Sequence, residues 1–532
     1  MLESLGPTAR VARGATYLFI QGFGTASIGL LYFVILARAF GSRSEQWQMG
    51  AYALLSFVLS FAQTFGTLSL QSAAVKYISQ YLAEGKVEKA KTVAVRLLRV
   101  GAVASAVTFL ALFVPAEWIS TLMFGVQDHA FMIRLVAACT IFVILYALAV
   151  GILQGLQRMR DVALIGLSYS LVHTSVGVFL LFLGWQLQAV VVGWLAGWAI
   201  TSIAALVLVA KYLGVTGKEH SMRPLMSFSL PLYFSAIVGF FIAWIDQLFL
   251  VSYMSLLLGT TEGQRILGIY YVAIRASVVP LLFANALVIA LFPSLSELYA
   301  QQGLSSLKDA FRVSSRYSVL IGFPLIIGLA TLAYPVIILF GGSQYVGATI
   351  PLIIISIGAL ISTLGLAMSP ILLTLERTVA ASALSVVSVT LSLFFAYFLV
   401  IPLNLGMIGA AWARTLTSAL SFLLTFYVVS RHVPLTFDKE ALWKSSVASA
   451  SLVAAIIGLD LVRMFLSPSS YQFLVIRLHL LPVYVIVGGL AYFAALIVLK
   501  ALKKRDLEIF EEYLPSRLRR VATWLNRFVK TE

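Results

Sequence analysis

Long apolar segments constrain this chain more than any other feature of its sequence. An α-helix needs roughly 20 mostly apolar residues to cross the ~30 Å hydrocarbon core of a membrane, and the 532 residues contain fourteen segments of that kind. Only 11% of the residues are charged, against about 25% in a typical soluble domain, so a water-soluble fold is excluded. We therefore predict an all-α membrane protein with about 14 transmembrane helices. The predicted spans are 14–37, 50–73, 93–115, 131–153, 162–184, 188–210, 228–256, 267–293, 313–338, 346–373, 379–401, 406–430, 444–465 and 481–500.

The basic residues predict the orientation of these spans, because loops rich in Lys and Arg resist translocation. With the N-terminus inside, 29 of the 37 Lys and Arg residues lie on the cytoplasmic side and six on the outer side, while Arg275 and Arg414 lie within spans. This asymmetry predicts a multi-pass protein of the cytoplasmic membrane with both termini cytoplasmic. Because the basic loops flank apolar spans, anionic lipid headgroups explain the net charge of +16 better than nucleic acid does.

An internal repeat with an offset of about 218 residues divides the chain. The segment MGAY at 49–52 matches LGIY at 267–270, and LMFG at 122–125 matches ILFG at 338–341. Each copy holds six spans, an even number, so both copies enter the membrane in the same direction and are related by an axis along its normal. Two such bundles are typical of a transporter with a central cleft. The predicted parts are an N-terminal six-helix lobe (1–213), a C-terminal six-helix lobe (214–432), two extra transmembrane helices (433–503) and a cytoplasmic tail (504–532).

The tail combines basic residues with an apolar stripe. Leu514, Leu518, Val521, Leu525 and Phe528 recur at helical spacing, with arginines on the other faces. This pattern predicts a basic amphipathic helix lying on the inner membrane surface. A solvated basic tail and a partner-binding helix are the alternatives.

Several motifs resemble those of a known group. The segments WIDQLFL at 244–250, GIY at 268–270 and LVIALFPSLSELYA at 287–300 are similar to the Wzx-like polysaccharide-biosynthesis flippases of the MATE-like exporter superfamily. LARAFG at 36–41 and GAY at 50–52 fit the same pattern, and the resemblance covers essentially the whole chain. It implies a flippase that carries a polyprenyl-linked oligosaccharide from the inner to the outer leaflet.

The same resemblance implies a lipid path and partners. In the related lipid II flippases two additional spans form a groove for the lipid tail, so the thirteenth and fourteenth spans are expected to do the same here. The expected partners are the lipid-linked oligosaccharide, membrane lipids and glycan-assembly enzymes. We do not expect an enzyme, because no outer loop much exceeds 16 residues, the five histidines are scattered and the sequence contains no GxxxxGK[ST] P-loop.

Three charged residues inside spans are the first candidates for binding the cargo, because such charges usually face a bundle interior or a water-filled cavity. Arg275 and Arg414 lie roughly 12 Å below the outer ends of their spans, and Asp246 roughly 15 Å below its own. Arg275 looks like the arginine that lipid II flippases carry in their eighth span. Those flippases also carry arginines in the first lobe, whereas the first two spans here have none, which counts against lipid II itself.

Each candidate has a functional and a structural interpretation. Arg275 contacts the phosphate and Asp246 orients it in the empty state, or the two form a buried ion pair that fixes helix packing. Arg414 is a ligand or extends toward the outer surface. Lys76 and Arg96 either collect the anionic headgroup at an inner mouth or only determine topology.

His173, near the middle of the fifth span, also has two interpretations. It is either a proton-linked group or a hydrogen-bonded histidine within the bundle. The source of energy stays open between a Na⁺ gradient, a H⁺ gradient and the membrane potential, and no cofactor is expected. The main alternative function is a cation-coupled MATE-type multidrug exporter. Such exporters carry acidic residues inside their lobes, whereas the charged residues within the spans here are two arginines and one aspartate.

Overall fold

The helices of the structure, a computed structural model, confirm an all-α membrane protein. The structure describes residues 7–42, 45–213, 221–280, 304–368, 371–372, 375, 377–466 and 478–501. Within these ranges thirteen helices are long and apolar enough to span a membrane. The predicted eighth span, 267–293, lies partly outside the described residues.

The described helices follow the predicted spans closely, with three additional short helices, α3, α5 and α12. A 3₁₀ turn over Ser343–Ala348 precedes α13. The helices are α1 (Pro7–Ala39), α2 (Trp47–Thr67), α3 (Leu70–Ala83), α4 (Val87–Phe113), α5 (Ala116–Phe124), α6 (Ala130–Gly155), α7 (Met159–Phe182), α8 (Gln186–Leu213), α9 (Arg223–Leu258), α10 (260–280), α11 (Leu304–Thr331), α12 (Ala333–Gly341), α13 (Thr349–Leu364), α14 (Thr378–Val400), α15 (Gly406–Ser430), α16 (Lys439–Leu466) and α17 (Leu481–Val498).

The predicted second span is interrupted. It was expected to run over 50–73, but α2 ends at Thr67 and α3 begins at Leu70. Between them Leu68 and Ser69 have φ angles of 50° and 52°, in the left-handed region. Because residues with a Cβ rarely adopt this conformation and cannot continue a right-handed helix there, the chain changes direction at this point.

The described chain forms two compact units. The first comprises the residues up to Val272 together with Ser385–Ala410, and the second comprises Ala273–Leu384 and the residues from Ala411 onward. The predicted lobe boundaries at 213 and 432 remain predictions.

Helix α6 is the centre of the first unit. It packs against α2, α3, α4, α5, α7 and α8. A Cβ added to Gly151 would lie 2.7 Å from the carbonyl oxygen of Gln71, and one added to Gly155 would lie 2.9 Å from that of Ala74. These two glycines therefore allow α3 to approach α6 closely, as small residues do between membrane helices.

The second unit is organised around α11, which packs against α13, α16 and α17. Arg316 of α11 donates hydrogen bonds to Asp438 Oδ2 at 3.1 Å and to the carbonyl oxygen of Ala501 at 2.7 Å. The Arg316 and Asp438 side chains are each only 6% exposed. On α16, Asp460 pairs with Arg463 at 2.8 Å. Arg316 thus joins α11 to the loop before α16 through the ion pair, and to Ala501, three residues after α17, through a hydrogen bond.

Asp438 lies in the loop between α15 and α16, outside the spans. Burial acts to raise the pKa of its carboxyl group, but the hydrogen bond from the Ala441 N–H at 3.0 Å and the neighbouring Arg316 outweigh burial and hold the pKa below its ordinary value. The carboxylate is therefore the stable form opposite Arg316.

We expect Asp438→Asn to destabilise the protein by about 3 kcal/mol, because the buried Arg316 guanidinium loses the carboxylate that accepts its hydrogen bond. The measurement is the thermal unfolding midpoint of the purified protein in detergent. Glu117→Gln is the matched control, since it removes a pair with Arg134 whose side chains are 61% and 38% exposed; exposed pairs are worth less than about 1 kcal/mol. Equal midpoints for the two variants would contradict the expectation.

Candidate functional site

Asp246, the one acidic residue among the predicted site residues, is enclosed by protein. It lies on α9, twelve residues before Leu258, and is 2% exposed. Its Oδ2 accepts a hydrogen bond at 2.6 Å from the hydroxyl of Tyr270 on α10, which is fully buried. The carboxylate therefore already has a neutral donor and offers no open surface to a cationic ligand.

An aromatic collar surrounds the neighbouring part of α10. Phe33 of α1, Tyr52 of α2, Trp244 of α9 and Tyr271 of α10 form it. The ring centroid of Tyr271 lies 5.9 Å from those of Phe33 and Tyr52. The Trp244 ring stacks on that of Tyr271 at 6.4 Å. Aromatic pairs of this kind contribute about 0.5–1.5 kcal/mol each beyond their buried area, so the collar holds four helices together.

Helices α2 and α10 cross next to this collar with no side chain between them. A Cβ added to Gly268 would lie 2.8 Å from the backbone nitrogen of Gly50, and one added to Gly50 would overlap the carbonyl group of Gln264. Both contacts would be closer than any that a real Cβ atom makes. This glycine crossing therefore depends on glycine at both positions, and the two glycines occupy equivalent places in the internal repeat.

Polar side chains border the glycine crossing. Arg265 Nε donates to the two carboxylate oxygens of Glu262 at 2.9 and 2.8 Å, and its Nη1 donates to Gln46 Oε1 at 3.4 Å. On the α8 side, Gln48 Nε2 donates to Gln186 Oε1 at 2.9 Å. These bonds tie the beginning of α2 to α8 and α10.

Farther along α2, aromatic side chains join it to α9. The Phe57 ring lies 5.5 Å from that of Trp244, and the Phe61 ring lies 5.8 Å from that of Phe240. The Tyr233 hydroxyl donates to the carbonyl oxygen of Phe65 at 3.3 Å. Helices α2 and α9 are thus in contact over several turns.

Arg275 and Arg414, the two arginines predicted to lie within spans, are more accessible than Asp246. Arg275 is exposed and Arg414 is partly buried. Arg275 lies ten residues after Arg265 on α10, so it is about 15 Å farther along the helix. An exposed charge at such a depth requires water or a polar cavity. The proposed pairing of Asp246 with Arg275 remains a prediction.

Lys76 and Arg96 lie on the neighbouring helices α3 and α4. Lys76 is exposed, and its Nζ lies 4.0 Å from the ring centroid of Phe228 on α9. The Arg96 Nε is buried and has no hydrogen-bond partner in the described protein. An Nε without a protein partner leaves this guanidinium with an unused donor.

Sequence reasoning missed three elements of this site. It did not identify Tyr270 as the partner of Asp246, the hydrogen bonds of Arg265, or the contact between Gly50 and Gly268. The repeat matched these two glycines, but only the crossing of α2 and α10 brings them together. The assigned roles of Arg275, Arg414, Asp246, Lys76 and Arg96 remain predictions.

The sequence also matches a family of known proteins. A family described as "Polysaccharide biosynthesis protein" matches residues 11–299, more than half of the chain. The chain belongs to this polysaccharide biosynthesis protein family. A probable low-salt glycan biosynthesis flippase of Haloferax volcanii is 23% identical over 448 residues, which cover 84% of this chain and 89% of that protein.

Solved structures share the fold of this polysaccharide biosynthesis protein. The lipid II flippase MurJ in an inward closed conformation matches with a TM-score of 0.70 and 16% identity, covering 90% of this chain and 98% of MurJ. An outward-facing MATE multidrug resistance transporter matches with a TM-score of 0.61 and 15% identity, covering 79% and 95% of the two chains. The fold is therefore the one common to MurJ and the MATE transporters.

We expect Gly50→Ala to separate α2 from α10, because the added methyl group has no space at the glycine crossing. The measurement is the labelling rate of Leu267→Cys, at a buried position beside Gly268, by a membrane-impermeant maleimide in a Cys139→Ala background. The rate should rise several-fold. Gly29→Ala on α1 is the control, because nothing lies within 4 Å of the added Cβ; an equal rate in both variants would show that the crossing tolerates a side chain.

Proposed function

We propose that this polysaccharide biosynthesis protein moves a polyprenyl-linked oligosaccharide from the inner to the outer leaflet of the cytoplasmic membrane by alternating access. Three findings support the proposal. The chain belongs to a polysaccharide biosynthesis family, its Haloferax volcanii relative is named a probable flippase, and it has the fold of MurJ.

The accessibility of the membrane-embedded charges favours an anionic cargo. Asp246 is 2% exposed and hydrogen-bonded to Tyr270, whereas Arg275 is exposed and Arg414 is partly buried. Among these three residues the accessible charge is therefore positive. A lipid diphosphate needs this arrangement, because guanidinium groups bind phosphate oxygens with charge-assisted hydrogen bonds. A cationic drug would require an accessible carboxylate instead.

The topology of the basic loops gives the glycine crossing a role. With both termini in the cytoplasm, Gly50 and Gly268 lie toward the outer ends of α2 and α10, so their contact closes the outer side. Lys76 and Arg96 then lie toward the cytoplasm, where an anionic headgroup enters. We assign these two residues to the first encounter with the headgroup and Arg275 and Arg414 to its passage.

The remaining parts of the cycle follow from the cargo. The polyprenyl tail stays in lipid, and the surface of α16 and α17 provides its groove. The protein forms and breaks no covalent bond; glycan-assembly enzymes supply the loaded carrier on one side and use it on the other. An ion gradient or the membrane potential supplies the energy for the cycle.

We expect Arg275→Ala to reduce flipping of a fluorescent polyprenyl-diphosphate oligosaccharide in proteoliposomes by about tenfold or more, because a hydrogen bond to a charged group contributes about 1.5–3 kcal/mol. Flipping is scored as accessibility of the fluorophore to an impermeant quencher. Arg275→Lys should fall between the wild type and Arg275→Ala, since lysine keeps the charge but loses the bidentate geometry.

Arg134→Ala is the matched control, because Arg134 pairs with Glu117 at an exposed site. It should flip at the wild-type rate. Failure of the wild type to flip any such lipid, together with ion-driven efflux of cationic dyes, would refute the flippase and favour the multidrug exporter. Wild-type flipping that Arg275→Ala leaves unchanged would refute only the phosphate role of Arg275.

A further inference from the structure

A group of buried polar side chains without protein partners lies inside the first unit, apart from the site described above. His173 of α7 is 9% exposed, and its Nε2 has no hydrogen-bond partner in the described protein. The hydroxyl group of Tyr32 on α1 is also buried and without a partner there. The two rings meet edge to face, with centroids 4.5 Å apart. Buried polar atoms are nearly always hydrogen-bonded, so two neighbouring exceptions require an explanation.

Glycines form the space for these two side chains. A Cβ added to Gly193 of α8 would lie 2.9 Å from the carbonyl oxygen of His173, and one added to Gly197 would lie 3.0 Å from the His173 Cβ. On α7, a side chain at Gly177 would overlap the Tyr32 hydroxyl. Gly193 and Gly197 thus let α8 approach α7 closely at His173, and Gly177 leaves space for the Tyr32 hydroxyl beside α7.

Further unpartnered atoms continue from this pair along α8. The Tyr169 ring stacks on His173 at 5.5 Å and on Trp198 at 3.8 Å. The Trp198 Nε1 and the Ser202 hydroxyl are buried without a partner among the described residues. These two residues are one helical turn apart, about 6 Å along the axis. From His173 on α7, the unpartnered polar atoms thus continue along α8 toward the C-terminal end of α8.

The surroundings of His173 contain no described group that would balance a positive charge. The titratable side chains in contact with the His173 ring are the phenols of Tyr32 on α1 and Tyr169 on α7. Beyond them, the groups next to Tyr169 are the phenols of Tyr52 on α2 and Tyr146 on α6 and the thiol of Cys139 on α6. Phenols and thiols are ordinarily neutral at pH 7. An imidazolium is costly in such a place, because a charge taken out of water needs a partner.

We propose that His173 and Tyr32 form a proton-binding site that couples protonation to the opening of the glycine crossing. In the conformation described here His173 is neutral. Protonation favours a conformation in which α1 moves away from α7 and water reaches the imidazole. The proton thus shifts the population between the two conformations according to its different affinity for each.

Helix α1 connects this proton site to the glycine crossing. Tyr32 contacts His173, and the next residue, Phe33, contacts Tyr52 of α2 and Tyr271 of α10. A movement of α1 that separates Tyr32 from His173 therefore also displaces Phe33 from the two crossing helices. The inference rests on the proposed function only in that the proton would drive lipid flipping. The proton site itself requires no glycan lipid.

The test is the pH dependence of maleimide labelling at Leu267→Cys in the Cys139→Ala background, without glycan lipid and with rates corrected for thiolate content. The corrected rate should rise at least about fivefold between pH 8 and pH 6, below the limit of about tenfold per pH unit that one proton sets. His173→Gln, which cannot carry the charge, should abolish the rise. Tyr32→Phe keeps the ring contact but removes the hydroxyl and should shift the midpoint of the rise.

His432→Gln is the matched control, because His432 Nδ1 is 2.9 Å from the carbonyl oxygen of Val428, outside this group. It should keep the full pH response. A full response in folded His173→Gln would overturn the proposal, and so would a wild type without any response. Folding is checked by the thermal midpoint and by labelling at pH 8, and ¹⁵N-imidazole NMR of the wild type follows the His173 resonance directly; a resonance that stays neutral across this range would also overturn the proposal.

These outcomes separate the two proposals. A pH response that depends on His173, combined with no glycan-lipid flipping, would refute the proposed flippase function and leave the proton site standing. Flipping by the wild type with no contribution of His173 to the pH response would refute only the proton site.

Discussion

The contact between Gly50 and Gly268 depends on the absence of a Cβ at both positions. These glycines are counterparts in the internal repeat, so each helix meets its own equivalent. Such a contact is expected where a two-fold relation passes between two copies, because each residue near the axis then faces its counterpart. One local solution, glycine at this point of the repeat, is thereby used twice. The aromatic collar and the hydrogen bonds of Arg265 border the crossing, and neither could form as observed if α2 and α10 were held apart.

The charged residues predicted within the spans differ in accessibility, and this difference bears on the charge of the cargo. A buried carboxylate without a donor is costly, and Asp246 avoids this cost through Tyr270. Because Asp246 is buried and hydrogen-bonded to Tyr270, it is not accessible to a ligand. Arg275 and Arg414 are the accessible charges. The sign of the cargo is thus inferred from which charges are accessible. A simple count of acidic and basic residues in the spans would not have distinguished Asp246 from Arg275 in this respect.

The sequence predicted the spans well because hydrophobic length directly reflects membrane thickness. The break after α2 was missed because neither Leu68 nor Ser69 is a glycine, the residue that usually adopts a positive φ angle. Counting residues from the helix ends placed Asp246 and Arg275 at similar depths in the membrane, but depth does not specify the direction in which a side chain points. Tyr270 and Arg275 are five residues apart on α10 and therefore point about 140° apart. Contacts between helix faces, such as those of Tyr270 and His173, require the packed structure.

The stability of the closed glycine crossing limits how far one proton can shift the equilibrium toward its open form. One histidine changes a conformational equilibrium by at most about tenfold per pH unit, about 1.4 kcal/mol. Complete reversal from 1:99 to 99:1 requires about 5.5 kcal/mol, more than two pH units supply. A proton at His173 is therefore effective only if the two conformations are nearly balanced. Among the described residues no ion pair joins α2 to α10 at the glycine crossing, so separating the two helices there exposes backbone and breaks the hydrogen bond from Arg265 to Gln46 and the ring contact between Tyr52 and Tyr271. A closure of this kind suits control by one proton and by a cargo whose binding energy adds to it.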